Sequence, residues 1–454
     1  NACKACGLGM GGQRGGMINE LDEFPSVCNK SVQAQSTDIQ GPIPLPVFDH
    51  TIADFKELSS HEIEHLGRLG TPLHKAAGSD KFEPIGWDDA IARTVERFST
   101  SAPERSFFYA SGRSSNEAAF VLQLMARLYG STNINNCSYY CHQASGDGLA
   151  TTIGTGTSTV ELADLGKSDL IFVLGANPSS NHPRFIHQLK NCRERGGHVV
   201  VINPAKEAGL VKFAVPKSPK SLLMGGNDIA SEYLQPRIAT DVAVFKGIAK
   251  SIIENQQHNV EFIAEYTRNF DAYLADIEGT SWSEIESITG LSRDDIHAVA
   301  EVYAHSENAV FAWGMGMTHH LHGVDNVEAI ANLAMLRGML GKPGAGLLPL
   351  RGHSNIQGVG TVGVKPVLAE DVFTAIENEL KITLPRNKGM DTMACLQAAE
   401  RGDIDNALML GGNLYAASPD SQWAERQVHE GGEGTRSPVD PCFLLLSGNF
   451  PLPG

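Results

Sequence analysis

Residues 170 to 202 constrain the fold more than any other part of the chain. Leu170–Leu174 is a short apolar run, and His198–Ile202 is a second one. Between them lie a Gly-Ala-Asn-Pro turn and a helical segment, Arg184 to Arg195, that ends at Gly196-Gly197. Two apolar runs joined by a helix predict neighbouring parallel strands, because a parallel connection needs a long crossover. The chain is therefore predicted to be an α/β protein.

The same strand–turn–helix order occurs elsewhere in the sequence. The further predicted strands are Ser106–Ala110, Ala309–Trp313 (followed by a helix from about Val327 to Leu340) and Asn406–Leu410. Ligands of such sheets bind beyond the carboxyl ends of the strands. Asn177, Asn203 and Lys206 are thus predicted to line one crevice, although each is also an ordinary turn or surface residue. A nicotinamide dehydrogenase is disfavoured, because no Gly-x-Gly-x-x-Gly motif follows a strand.

Cys141 and His142 are adjacent within the stretch Asn135–Leu149. A cysteine thiolate is a soft metal ligand, and an imidazole can transfer a proton near neutral pH. The pair is therefore a candidate redox site. The simpler alternative is a buried cysteine beside a histidine that caps a helix.

Three of the eight cysteines lie in the first 28 residues, at Cys3, Cys6 and Cys28. The Cys-x2-Cys pair sits in a glycine-rich segment whose backbone N–H groups can point at sulfur, as an iron–sulfur cluster requires. A zinc knuckle and ordinary loop thiols are the alternatives. Either metal site wants a fourth ligand, which is expected upstream of Asn1 or from a residue other than cysteine.

The composition argues against several classes of protein. A net charge of −16 disfavours binding to nucleic acid, which needs clustered Lys and Arg. No apolar run reaches the roughly eighteen residues of a membrane span. Eight cysteines in 454 residues are too sparse for a disulfide scaffold, and no secretory leader is visible. We therefore expect a cytoplasmic protein of roughly two to four domains.

Taken together, these features resemble the molybdopterin oxidoreductases of the dimethyl-sulfoxide-reductase superfamily, and most of all the formate-dehydrogenase-like alpha subunits of the YdeP type. The resemblance runs from Cys3 to about Trp423. Its most specific parts are Ala110–Phe120, Cys141-His142, Gly175–Pro183, Arg351–Gly358 and Gly411-Gly412-Asn413. It implies a multidomain α/β molybdopterin-oxidoreductase fold with a small N-terminal iron–sulfur domain and two αβα (Rossmann-like) domains.

The resemblance also implies domain bounds and cofactors. Residues 1–75 would form the iron–sulfur domain, residues 76–135 with 350–425 one αβα domain, and residues 136–349 the αβα domain for a dinucleotide cofactor. The implied cofactors are molybdenum with molybdopterin guanine dinucleotide, in the bis form in the family, and a [4Fe-4S] cluster. The family's last domain, which grips the second pterin, has no counterpart here, and residues 426–454 are expected to be a loose tail.

Individual roles follow from the resemblance. Cys141 would be the thiolate on molybdenum, His142 would take the substrate proton, and Arg351 would hold an anionic substrate. Cys3, Cys6 and Cys28 would bind the cluster, with Lys30 between the cluster and the pterin. The residues expected to hold the pterin dinucleotide are Arg113, Asn177, Asn203, Lys206, Gly316, His319, His353, Gly412 and Asn413.

The leading functional prediction is a two-electron oxidoreductase that acts on a small anion, through formate oxidation or a related small-anion reaction. A separate electron donor or acceptor protein is the expected partner. The alternative is a catalytically silent iron–sulfur or pterin-binding remnant of the family that serves electron transfer or regulation. The missing last domain favours this alternative, and iron without molybdenum in the purified protein would identify it.

Overall fold

The computed structural model describes residues 18–19, 21–24, 39–215, 219–223, 225–424 and 442–446. The expected cluster ligands Cys3, Cys6 and Cys28, and Lys30 beside them, lie outside the described residues. The described residues form two compact units. The first contains Cys141–Ser354 with the few described residues before Val32, and the second contains the described parts of Gln33–Tyr140 and Asn355–Gly454.

The strands, in chain order, are β1 Leu73–His74, β2 Glu83–Pro84, β3 Ser106–Ala110, β4 Ile134–Asn136, β5 Leu170–Leu174, β6 His198–Ile202, β7 Lys212–Phe213, β8 Asn227–Asp228, β9 Glu232–Leu234, β10 Ala309–Trp313, β11 Gly346–Pro349, β12 Asn406–Leu410 and β13 Cys442–Leu446. The α-helices are α1 Ile52–Lys56, α2 Ser60–His65, α3 Trp87–Ser99, α4 Asn116–Tyr129, α5 Ser138–Cys141, α6 Gln143–Ile153, α7 Pro178–Asn181, α8 Phe185–Glu194, α9 Ala208–Val211, α10 Pro219–Leu223, α11 Asp241–Glu254, α12 Val260–Tyr266, α13 Phe270–Gly279, α14 Trp282–Thr289, α15 Arg293–His305, α16 Gly323–Leu336, α17 Ile356–Thr361, α18 Glu370–Leu380, α19 Thr392–Glu400 and α20 Leu414–Ala417.

The first unit contains a five-stranded parallel sheet in the order β11-β10-β5-β6-β9. Its strands are continuous apolar runs because both faces of the sheet are covered. Along β5, Phe172 faces a core shared with α11 and α16, and Val173 faces the opposite core shared with α8. Phe172 also stacks on Phe311 of β10, with the ring centroids 4.7 Å apart. The predicted β5-α8-β6 unit is confirmed, and with it the α/β fold class.

The second unit contains a four-stranded parallel sheet in the order β13-β12-β3-β4. Phe108 of β3 packs against α4 on one face, and Tyr109 packs against α19 on the other. Arg105 and Asp405 precede the neighbouring strands β3 and β12 and form a two-pronged ion pair. Arg105 Nε lies 2.7 Å and Nη2 lies 2.6 Å from the two carboxylate oxygens. This pair joins the amino ends of the two central strands.

The structure differs from the sequence-based expectation in three places. The helix expected from Val327 to Leu340 is α16, which ends before Gly338 because that glycine adopts a φ of +65°. The glycine-rich break after Leu340 ends in strand β11, which pairs with β10. Cys442–Leu446, inside the expected loose tail, forms β13 beside β12, since its apolar run is long enough to add a strand to the sheet.

Two helices of the second unit present apolar side chains to solvent. The exposed side chains at one-turn spacing are Trp87, Ile91 and Val95 on α3, and Val121, Met125 and Leu128 on α4. We call the second set the α4 stripe. Leu122 and Ala126 lie on the opposite side of α4 and are buried. Among the helices described above, none combines the length and the apolar character that a bilayer crossing demands.

Candidate active site

The turns after β5 and β10 meet directly at the carboxyl edge of the first unit's sheet. The Gly316 N–H donates to the Gly175 carbonyl, with N and O 3.0 Å apart. A Cβ on Gly316 would lie 2.6 Å from that oxygen, closer than real side chains approach, so only glycine fits. Gly316 was predicted to hold a cofactor, and in this structure it packs one turn against the other.

Cys141 is the last residue of α5 and is partly exposed. Burial raises the pKa of its thiol, whereas the Gly352 N–H bonded to the sulfur and the charge of Arg351 lower it. The backbone of Cys141 is also held, since Thr318 Oγ1 donates to its carbonyl over 2.7 Å. The sulfur thus faces an N–H donor and a guanidinium, both of which stabilise a thiolate.

His142 is buried and engages both of its ring nitrogens. Nε2 lies 3.1 Å from the Leu350 carbonyl, and Nδ1 lies 2.8 Å from Ser145 Oγ. Because a carbonyl only accepts, Nε2 carries the proton and Nδ1 accepts from the Ser145 hydroxyl. Trp313 Nε1 in turn donates to Ser145 Oγ over 2.8 Å, which fixes the direction of the whole chain of hydrogen bonds.

The environment of His142 keeps the ring neutral. Burial first, and then the charge of Arg351, lower the pKa of His142 to about 3. Although His142 stands at the N-cap position of α6, its side chain makes no capping hydrogen bond, so the simple helix-capping alternative does not describe it. With both nitrogens bonded, His142 can take up a proton only after one of these hydrogen bonds breaks.

Arg351 follows strand β11 and is largely buried. Its Nη2 donates to the Gly156 carbonyl over 3.0 Å, and its own carbonyl accepts from His182 Nε2 over 3.0 Å. Burial lowers the pKa of Arg351, and the neighbouring Cys141 acts in the opposite direction. The structure therefore brings Cys141, His142 and Arg351 together in one unit, although 210 residues separate Cys141 from Arg351 in the sequence.

The crevice residues expected beyond β5 and β6 make mostly local contacts. Asn177 caps α7, and its Nδ2 donates to Glu207 over 2.7 Å. Asn203 is buried, and its side-chain oxygen accepts from the Ala205 N–H. Lys206 is exposed. All three follow the ends of neighbouring strands; Asn177 is half-buried, and Lys206 is the most exposed of them. That they line one crevice stays a prediction.

His319 and His353 complete the expected set within the first unit. His319 is exposed on the turn after β10, and its N–H donates to the Met315 carbonyl. Its charge contributes to the lowered pKa of His142. His353 is half-buried, two residues after Arg351. Both histidines therefore belong to the strand-end segments that surround the Cys141 region.

Arg113, Gly412 and Asn413 lie in the second unit, just beyond the carboxyl ends of β3 and β12. A Cβ on Gly412 would meet the Tyr109 ring at 2.9 Å. Asn413 caps α20 by accepting from the Ala416 N–H over 3.1 Å. Their predicted role in cofactor binding stays a prediction.

Three residues hold the site together although the sequence predicted no role for them: Ser145, His182 and Trp313. Ser145 and Trp313 complete the hydrogen-bond chain of His142, and His182 holds the backbone of Arg351. The sequence indicates these roles only weakly. Ser145 lies four residues after Cys141, and His182 belongs to the Gly175–Pro183 motif. Their partners are distant in sequence, so spacing alone could not reveal the contacts.

The comparisons with known proteins define the class. A family model for molybdopterin oxidoreductases matches residues 68–430, and the chain therefore belongs to the molybdopterin oxidoreductase family. Membership implies a molybdenum–pterin cofactor, and it confirms the resemblance drawn from the strand-end motifs.

Two individual relatives show how much of the chain is similar to known proteins. The chain is 38% identical over 386 residues to protein YdeP of Escherichia coli, covering 82% of this chain and 51% of that protein. It is 32% identical over 305 residues to formate dehydrogenase H of E. coli, covering 66% of this chain and 40% of that protein. The chain thus spans about half the length of the curated relatives it matches.

A solved structure supports the fold. Acetylene hydratase from Pelobacter acetylenicus superposes with a TM-score of 0.62 at 18% identity, over 89% of this chain and 54% of that one. At this level of identity the likeness concerns the fold alone. The two parallel sheets are therefore those of a molybdopterin-oxidoreductase fold.

Cys141 fits a metal that arrives with a cofactor. Within the described residues, no group of three or more His, Cys, Asp or Glu side chains is placed to hold a metal ion. A metal carried by an organic cofactor brings ligands of its own and takes few from the protein. A soft sulfur beside an N–H donor and a guanidinium suits such a centre.

Proposed function

We propose that this chain carries the catalytic centre of a molybdenum-dependent oxidoreductase for a small anionic substrate, formate. The observation that carries the proposal is the partly buried Arg351 guanidinium beside the Cys141 thiol. A single fixed positive charge next to a metal-binding sulfur suits a small anion. The name of one relative, formate dehydrogenase H, supports formate as the first substrate to test.

Arg351 is the proposed substrate-binding residue. A guanidinium holds a carboxylate with two parallel hydrogen bonds, and such charged bonds are stronger where water is excluded. Arg351 Nη2 already donates to Gly156, and this contact turns the guanidinium plane to a fixed orientation. The substrate is thus held by its carboxylate while its other end points away from the guanidinium.

Cys141 and His142 are the proposed reacting neighbours. When bound through Cys141, the molybdenum cofactor supplies the two-electron redox chemistry. His142 receives the substrate proton at Nδ1 once the Ser145 hydroxyl turns away, because Nδ1 carries the basic lone pair of the neutral ring while Nε2 already holds a proton. The Gly352 N–H stabilises negative charge on the Cys141 sulfur throughout.

The remaining expected roles are part of the same proposal. Within the first unit, the residues proposed to hold the dinucleotide cofactor are Asn177, Asn203, Lys206, His319, His353 and the glycines around Gly316. Arg113, Gly412 and Asn413 are proposed as further cofactor-binding residues. Cys3, Cys6 and Cys28 would hold a [4Fe-4S] cluster that passes electrons to a partner protein, with Lys30 between cluster and pterin. A cytoplasmic location completes the proposal.

Metal analysis and dye reduction test the proposed function. We expect protein purified without oxygen to contain both iron and molybdenum and to reduce a viologen dye with formate. Cys141→Ala should lose molybdenum and turnover, and Arg351→Gln should keep molybdenum but raise the KM for formate. Iron without molybdenum would support the silent remnant instead. Full turnover by Cys141→Ala would refute the assignment.

A further inference from the structure

Two buried imidazoles hold consecutive backbone carbonyls at the end of β11. His142 Nε2 donates to the Leu350 carbonyl over 3.1 Å, and His182 Nε2 donates to the Arg351 carbonyl over 3.0 Å. His182 is only 9% exposed and lies in the turn between α7 and α8. A carbonyl oxygen only accepts, so Nε2 of each ring carries a proton. The two rings act here as N–H donors.

These contacts fix both peptide planes that flank the Arg351 Cα. Each plane contains one carbonyl and the following N–H group. In the first plane, the Leu350 carbonyl accepts from His142 and the Arg351 N–H donates to the Pro349 carbonyl. In the second plane, the Arg351 carbonyl accepts from His182 and the Gly352 N–H donates to the Cys141 sulfur. With both planes held, the φ and ψ angles of Arg351 are fixed, and so is the direction of its side chain.

We propose that His182 is a positioning residue for substrate binding. By holding the second plane, His182 sets the direction in which the Arg351 side chain leaves the backbone and keeps the Gly352 N–H on the Cys141 sulfur. The inference rests on the proposed function for its substrate, because a fixed guanidinium serves binding only if an anion is bound. The proposed role of His182 acts through its contact with the Arg351 carbonyl.

Removing the His182 donor frees the second plane alone. The first plane keeps its hydrogen bond from His142, so the fold of β11 persists while the Arg351–Gly352 peptide can rotate. The Gly352 N–H then leaves the Cys141 sulfur, and the Arg351 side chain no longer leaves the backbone in one fixed direction. The expected defect is therefore weaker binding of the anion, with little change in the chemical step.

Amide hydrogen exchange on the purified 454-residue chain tests, without any cofactor, whether His182 holds the Arg351–Gly352 peptide plane. His182→Leu removes the donor, His182→Gln keeps an N–H at a similar reach, and His305→Leu is the control. His305 also contacts a backbone carbonyl, that of Glu301, but on the exposed end of α15. We expect peptides covering residues 350–354 to exchange about five- to tenfold faster in His182→Leu, as one lost hydrogen bond implies, and at the wild-type rate in the other two.

Equal exchange in wild type and His182→Leu overturns the inference. If His182→Leu fails to fold, His182→Asn replaces it, because its shorter amide cannot reach the Arg351 carbonyl and fast exchange is again expected. Slow exchange in His182→Asn overturns the inference as well.

Formate kinetics of the molybdenum-loaded protein provide the second readout. We expect His182→Leu to raise the KM for formate about tenfold while kcat stays within about twofold, and His182→Gln to restore the KM. A fall in kcat at constant KM contradicts a positioning role in binding. A molybdenum-loaded wild type without formate turnover refutes formate as the substrate. The exchange result alone still decides whether His182 holds the Arg351–Gly352 peptide plane.

Discussion

Ser145 connects two side chains that come from distant parts of the first unit. Its hydroxyl accepts from the Trp313 indole and donates to His142 Nδ1, so a single oxygen satisfies two buried groups. The arrangement fixes which nitrogen of His142 carries the proton. His142 therefore presents an N–H to Leu350 in the resting protein, and any proton uptake by this ring begins with the loss of one of these contacts.

Replacing Ser145 with Ala tests how much the two hydrogen bonds of its hydroxyl contribute to the free energy of unfolding. The substitution leaves the Trp313 N–H and His142 Nδ1 without partners in a buried site. We expect the free energy of unfolding to fall by about 1–3 kcal/mol, the cost of unsatisfied buried polar groups. Urea unfolding measures it. The control is Ser99→Ala, whose hydroxyl makes an exposed contact to Glu96, and a similar loss in both variants would contradict the assignment.

The Arg105–Asp405 pair makes stability depend on pH. The Arg105 side chain holds the pKa of Asp405 below its ordinary value of 3.8. The carboxylate therefore contributes stability above that ordinary value, and the contribution is lost as pH falls through the lower pKa of the folded state. We expect Asp405→Asn to unfold more easily than wild type by about 0.5–1 kcal/mol at pH 7, a range that allows for partial exposure.

Urea titrations at pH 7, 5, 4 and 3 measure this difference. The gap between wild type and Asp405→Asn should be constant from pH 7 to 5 and should shrink below about pH 4. Asp403→Asn is a suitable control, because Asp403 pairs with Arg401 at the exposed surface. A gap that widens on acidification would contradict the direction of the pKa shift.

Some elements could be predicted from the sequence and others could not. The central strands β3, β5, β6, β10 and β12 are continuous apolar runs, a pattern that sheets covered on both faces require. The edge strands β4 and β11 are short and contain Asn135, Asn136 and Gly346, so their local sequence indicates loops. They form strands because a neighbouring strand supplies the hydrogen bonds, and such a contact leaves no local signal.

The contact between the β5 and β10 turns gives a prediction at the level of elements. Gly316→Ala would drive a Cβ into the Gly175 carbonyl, and neither backbone can move away cheaply. We expect a loss of about 1–3 kcal/mol in the free energy of unfolding, typical of forced overpacking. Urea unfolding is again the measurement.

Gly279→Ala is the matched control in the same unit. Gly279 ends α13 and has open space where a Cβ would lie, so Ala there should be neutral or stabilising by up to about 1 kcal/mol. Equal effects of the two substitutions would show that the turns can separate, contrary to the observed contact.

At the scale of the whole molecule, family membership rests on the family model that matches residues 68–430, and the two parallel sheets agree with the fold of that family. Cys141, His142 and Arg351 could be singled out from the sequence because their motifs resemble a known family. The contacts that hold them, through Ser145 and His182, depend on how distant segments pack. The sequence reveals which chemistry a site can support more readily than what keeps its atoms in place.

The α4 stripe leads to a prediction about the association of the whole molecule in solution. Exposed apolar surface of this kind promotes association. We expect the double substitution Val121→Glu with Leu128→Glu to reduce concentration-dependent association in sedimentation, and to change the free energy of unfolding by less than about 0.5 kcal/mol, because both side chains are exposed.

A second double variant separates the effect of added charge from the effect of losing exposed apolar surface. Ser99→Glu with Thr361→Glu adds the same two charges at exposed polar positions and leaves the α4 stripe intact. Association should then match the wild type. A reduction of the same size in both double variants would assign the effect to net charge alone.

The fixed backbone of Arg351 has a consequence for which acids the site accepts. A guanidinium held through both adjoining peptides and tied to Gly156 cannot follow a ligand, so the acid must come to it. Under the proposed function, the number of carbons behind the carboxylate then sets how far the bound acid extends toward position 141. Homologous monocarboxylic acids share one charge and differ in reach, so the site ranks them by length.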